Sequence, residues 1–127
     1  MERYKRVNII TGWIIFLVAA TVYLICIEPT VSFWDCGEYI ASAYKLEVGH
    51  PPGAPFYMIL ARFFSLFATE TADVAKMVNS LSALASAFTI LFLFWTITHL
   101  AKKIFPVEQD SGNLIAVIGS GIIGALA

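Results

Sequence analysis

The stretch VNIITGWIIFLVAATVYLICI, residues 7–27, contains no formally charged side chain. A helix of that length, at 1.5 Å rise per residue, reaches about 31 Å, the thickness of the hydrocarbon core of a bilayer. The reading is a membrane-spanning helix. A secretory signal peptide competes for a basic start followed by an apolar core. Here the core is too long, and LICIEP at 24–29 offers no small-residue cleavage site. Outward from this run, residues 77–101 are again uncharged and predict a second span, tilted to fit. Residues 113–127 are apolar to the end and too short to cross, so the chain reads as a fragment that stops inside a third span. The organisation expected is one all-α membrane region: spans at 7–27 and 77–101, an intervening loop at 28–76, and the start of a third span at 113–127.

Composition agrees. Of 127 residues, 59% are hydrophobic and 13% charged, about half the usual charged share of soluble domains. Mean hydropathy is +0.80. Eight Lys and Arg face nine Asp and Glu, a net charge of −1, which supplies no basic surface for a nucleic-acid backbone. Cys26 and Cys36 match neither a disulfide framework nor a multi-cysteine zinc spacing. Gly119-Ser120-Gly121-Ile122-Ile123-Gly124 fits G-x-G-x-x-G, but a dinucleotide unit needs a second strand and an acidic residue about 20 positions on. The glycines read instead as close-packing positions in a membrane helix, as do Ser82, Ala83, Ser86 and Ala87 in the second span.

Charge also orients the spans. Arg3, Lys5 and Arg6 precede the first and Lys102 and Lys103 follow the second, so both flanks are expected in the cytoplasm. Loop 28–76 then faces the other side, periplasm or lumen. It carries Glu28, Asp35, Glu38, Glu47, Glu70 and Asp73 against Lys45, Arg62 and Lys76. Trp13, Trp34 and Trp95 fall where interfacial aromatics are expected.

That loop holds the chemistry. Ser32 or Asp35 is expected to start a helix reaching about Val48, with Asp35, Glu38, Ser42 and Lys45 on one wet arc and Ile40, Tyr44 and Val48 opposite. Gly49-His50-Pro51-Pro52-Gly53-Ala54-Pro55 breaks it into a stiff turn, because proline cannot continue a helix. Residues 56–68 form a second short interfacial helix with Arg62 as its one charge. Asp35 and Glu38 share a face at the membrane surface, where a carboxylate could serve as general base or metal ligand beside a lipid-linked phosphate. The same spacing also fits an N-terminal capping box, and the two roles are compatible. His50 could position or protonate a phosphate, or be a plain turn residue. Arg62 could pair with a phosphate, pair with Asp35 or Glu38, or snorkel unpaired. Cys36 has no neighbouring base to activate it and reads as inert.

The order of these parts resembles the start of the C-type membrane glycosyltransferases, among them the protein O-mannosyltransferases. They are one span, Asp35 and Glu38 opening a helix, His50-Pro51-Pro52-Gly53, an interfacial helix and a second span. More narrowly, Phe33-Trp34-Asp35-Cys36-Gly37-Glu38-Tyr39-Ile40-Ala41 with the following His-Pro-Pro turn is similar to a large bacterial multi-spanning family related to a vertebrate endoplasmic-reticulum O-mannosyltransferase. The resemblance implies a multi-spanning bundle, in a bacterial inner membrane. It also implies transfer of a sugar, mannose being expected, from a polyprenyl-phosphate carrier to a hydroxyl of an exported acceptor protein on the outer face. Asp35 would be the catalytic carboxylate, and Glu38 would support it or help hold a divalent metal. His50 and Arg62 would bind the carrier phosphate and organise the loop. Two other functions compete: a transporter, which would need charges deep within the spans, and a non-catalytic assembly subunit using the small-residue faces.

Overall fold

The computed structural model describes residues 2–51, 53–107 and 111–127. Every regular element among them is helical: α1 (Glu2–Ile25), α2 (Cys36–Lys45), α3 (Pro55–Ser65), a single 3₁₀ turn (Thr71–Asp73), α4 (Val74–Ile104) and α5 (Ser111–Leu126). Helices α1 and α4, the latter with its leading 3₁₀ turn, are long and apolar enough to cross a membrane, and α5 is a shorter apolar helix. Helix α4 runs past its uncharged stretch at both ends, whereas α1 begins before residues 7–27 and ends at Ile25, inside them. The absence of charge marks contact with hydrocarbon, whereas Arg3, Lys5, Arg6 and Lys76 are good helix formers that prolong the helix beyond it. Lys102 and Lys103 occupy the last turn of α4, where cations favour the helix dipole.

Residues 23–84 form one compact unit. Its core is Ile40 and Ala43 of α2, Met58 and Ala61 of α3, and Val74 and Val78 of α4. Helix α2 ends three residues before Val48, because Leu46 turns left-handed at φ 56° and the amides of Leu46 and Glu47 bond back to Ala43 and Ser42. Val48 is consequently exposed. Ser42, expected on the wet arc, is buried, since α2 packs against α3 and does not lie alone on a surface. Pro55 opens α3 within its first turn, where its missing N–H costs nothing. Helix α3 closes at Ser65 and the chain continues to Ala68 in i→i+3 bonds, because the Ser65 hydroxyl donates to the Arg62 carbonyl. Of the expected stiff turn, Pro52 lies outside the described residues. Gly53 has φ +68° and donates its N–H to the His50 carbonyl at 2.9 Å. That left-handed backbone suits glycine.

Residues 1–22 and 85–127 form the other unit. Ile15, Phe94, Leu114, Ile118 and Ala125 make its core. Gly119, Gly121 and Gly124 all lie within α5, so the dinucleotide motif is a helix and not a strand-turn-helix. A methyl on Gly121 would fall 2.5 Å from Thr98 Cγ2 and 2.8 Å from the Phe94 ring, while one on Gly119 would meet nothing. Gly121 thus lets α5 approach α4 closely. Of the residues expected to form a packing face on the second span, Ala87 is fully buried, Ala83 is half-buried, and Ser82 and Ser86 are exposed.

These two glycines make opposite predictions. Gly121→Ala should lower the thermal transition of the detergent-solubilised protein, by about 1–3 kcal/mol of stability for overpacking. Gly119→Ala should raise it, by roughly 0.5–1 kcal/mol for helix propensity.

Candidate functional site

The site is built on the first turn of α2. The segment leading to it, 26–35, is not helical, and Asn79 of α4 holds it by donating to the carbonyls of Glu28 (2.8 Å) and Thr30 (3.0 Å). Asp35 occupies the N-cap position of α2, yet its carboxylate makes no capping bond. The capping box is not formed, because Glu38 turns away to His50.

Glu38 and His50, twelve positions apart, are joined twice. Glu38 Oε1 accepts the backbone N–H of His50 at 2.8 Å, and Glu38 Oε2 meets His50 Nδ1 at 2.8 Å. The second bond directs the other ring nitrogen, Nε2, toward Asp35 Oδ2 at 3.9 Å. Gly49 makes the approach possible, since a methyl there would lie 3.2 Å from Glu38 Oε1. The three side chains are about half exposed, at 41% for Glu38 and 48% for Asp35 and His50.

The electrostatics follow from those contacts. The His50 backbone N–H, and then its ring, hold the Glu38 carboxyl below its usual value. The bond to Glu38, followed by the charge of Glu38 and more weakly that of Asp35, raises the His50 imidazole above its usual value. The charged pair is therefore fully formed between roughly pH 4.5 and 6.5. It is lost as pH falls through the lowered value of Glu38, or as pH rises through the raised value of His50.

One ligand atom from each of Asp35, Glu38 and His50 lies within 4.8 Å of the others, a spacing that a divalent cation bridges. Two carboxylates and an imidazole form a mixed oxygen and nitrogen set of the kind that Mn²⁺ or Zn²⁺ accepts. Both Glu38 oxygens are already engaged by His50, so an ion shared by all three would compete with that clamp.

Arg62 is not brought to this cluster. Its guanidinium donates to the Tyr44 carbonyl at 2.7 Å and sits over the Tyr44 ring, 5.3 Å from its centre. It therefore joins the end of α2 to α3, pairing with neither carboxylate among the described residues. Helix α2 has ten residues, so its two ends are about 15 Å apart.

A groove of about 410 Å³ adjoins Asp35, lined by Phe33, Trp34, Asp35, Cys36, Tyr39, Tyr57 and Ser82. Phe33 and Trp34 are 94% exposed. Trp34 has φ 62°, a left-handed conformation that costs a bulky residue about 1–3 kcal/mol. Sequence reasoning missed the groove. A Ser and an Asn near the start of an uncharged span are signals for Ser82 and Asn79, but nothing local marks the backbone of Trp34.

A family model described as the N-terminal domain of protein O-mannosyl-transferase TMEM260 matches residues 35–127. The chain belongs to this family. The matched stretch opens on Asp35 and so contains the whole carboxylate and histidine cluster. Among curated relatives, the protein O-mannosyl-transferase tmem260 of Dictyostelium discoideum is 29% identical over 94 residues, 73% of this chain. Protein O-mannosyl-transferase TMEM260 of Mus musculus is 34% identical over 88 residues, 68% of this chain. Each match covers 12% of the relative's length. No solved structure matches. With its two long apolar helices, this TMEM260-type N-terminal region is an all-helical membrane protein.

The paired bonds predict a measurable titration. In an NMR pH series, His50 should titrate above the ordinary histidine value, and Glu38→Gln should return it toward that value.

Proposed function

We propose that this chain supplies the catalytic wall of a membrane glycosyltransferase. The enzyme would move a sugar, mannose in the first instance, from a polyprenyl-phosphate carrier to a protein hydroxyl on the outer face of a bacterial inner membrane. The observation that carries the reading is the uncapped Asp35 carboxylate, held beside a histidine whose other nitrogen is fixed by Glu38. The family supports it, because two relatives are named protein O-mannosyl-transferases. The basic flanks of α1 and α4 support a cytoplasmic N-terminus and an outer loop.

In this mechanism the acceptor hydroxyl sits between Asp35 Oδ2 and His50 Nε2, whose 3.9 Å separation lets one oxygen reach both at hydrogen-bond distance. As the hydroxyl oxygen bonds to the anomeric carbon, Asp35 takes its proton. The bond from that carbon to the carrier phosphate breaks on the opposite face, so the configuration inverts and polyprenyl phosphate leaves. Glu38 does not touch substrate. It pins His50, and with it the turn, over the first turn of α2. Arg62, at the far end of α2, is too distant to hold the phosphate of a sugar lying against Asp35, so its part here is to fix α2 on α3. A divalent ion held by Asp35, Glu38 and His50 would lie on the side of the attacking hydroxyl and would make its proton easier to remove.

Asp35→Asn in the full-length protein should remove one class of glycan from exported proteins at unchanged membrane abundance, lowering transfer by about 100-fold or more. An unaltered glycan profile at normal abundance would remove Asp35 from catalysis. Glu38→Gln, which weakens only the clamp, should leave partial activity.

A further inference from the structure

The groove beside Asp35 has a use that the proton transfer does not exhaust. We infer that it is the subsite for the pyranose ring of the donor, with the face of Trp34 as its floor and Tyr39, Tyr57 and Ser82 as hydrogen-bonding walls. This deepens the glycosyl-transfer reading and rests on it.

Four observations carry the assignment. The groove, about 410 Å³ and widely open, has room for a sugar ring and includes the carboxylate in its lining. Beside Asp35 and Cys36, its lining consists of the aromatic residues Phe33, Trp34, Tyr39 and Tyr57 and the hydroxyl-bearing Ser82, a mixture that matches a sugar ring with one C–H face and a rim of hydroxyls. The electron-rich face of an indole attracts the weakly positive C–H bonds of such a ring. Trp34 is presented at a cost, because its left-handed backbone turns a large apolar side chain into the open at 94% exposure. The hydroxyls are also unspent. Ser80, Thr89 and Thr96 of α4 each donate to the carbonyl four residues back. Among the described residues the hydroxyls of Ser82, Tyr39 and Tyr57 make no hydrogen bond, while the two phenol rings hold each other edge to face at 5.8 Å. A ring stacked on Trp34 would have its anomeric carbon within reach of a hydroxyl held by Asp35.

The test uses full-length protein in proteoliposomes with polyprenyl-phosphate mannose. Trp34→Ala should raise KM for the donor by about tenfold while kcat changes little, the loss of one stacking contact. Trp34→Phe should restore most of the affinity and Trp34→Leu should not. A second readout needs no turnover: with every tryptophan of the full-length protein other than Trp34 replaced by Phe, the donor should shield Trp34 fluorescence from acrylamide, and bare polyprenyl phosphate should not. Equal shielding by the bare carrier, full rescue by Leu, or quenching by brominated lipids that donor does not relieve would overturn the subsite. The last result would assign Trp34 to the membrane. The underlying reading is judged separately: Asp35→Asn should still show donor shielding without transfer, whereas transfer undiminished in Asp35→Asn would sink the catalytic assignment whatever Trp34 does.

Discussion

The pair of hydrogen bonds between Glu38 and His50 is the contact on which the segment between α1 and α4 depends. It uses both oxygens of one carboxylate, one for a backbone N–H and one for a ring nitrogen, so it fixes the path of the chain and the orientation of the imidazole together. Because the pair is half exposed, water screens its charges and its value is positional more than energetic. It closes the loop that begins where Leu46 leaves α2, bringing His50 back over the start of the helix. It also withdraws Glu38 from helix capping, which leaves Asp35 beside the imidazole and beside an open groove.

The rest of residues 23–84 supports that arrangement. Asn79 fixes the extended approach to α2, and Gly49 leaves room for the Glu38 carboxylate. Arg62 locks the other end of α2 onto α3 through the Tyr44 carbonyl and ring. A short helix held at both ends is a firmer support for a reacting group than a free loop, and positioned groups need such support. Residues 1–22 and 85–127 have a different character. Their core is apolar, with Tyr4 and Trp95 donating to the carbonyls of Thr98 and Asn8, and small residues such as Gly12 and Gly121 admit large neighbours, Trp95 in one case and Phe94 with Thr98 in the other.

The two long apolar helices and the acidic pair were legible in the sequence for local reasons. A run without charge as long as a bilayer is thick has few alternatives, and carboxylates three residues apart on a helix must share a face. The candidate site was legible in part. Asp35, Glu38 and His50 were named from spacing and turn chemistry, but the sequence left their partners open, and it offered Arg62 as a fourth member when the fold gives it to Tyr44. Ser42 shows the same limit: its angle on a helical wheel was right, and its burial depended on α3, which the wheel does not contain.

What the sequence by itself determined is therefore one-dimensional: where charge is absent, where proline stops a helix, and which residues of α2 lie on one side. Only the tertiary structure decided that His50 lies against that side, that Asp35 is uncapped, and that Trp34 opens a groove next to it. Those outcomes turn on the left-handed residues at Trp34 and Leu46 and on the packing of α2 against α3. The packing is a contact between residues distant in the chain and the angles are turns of single residues, and no periodicity records either.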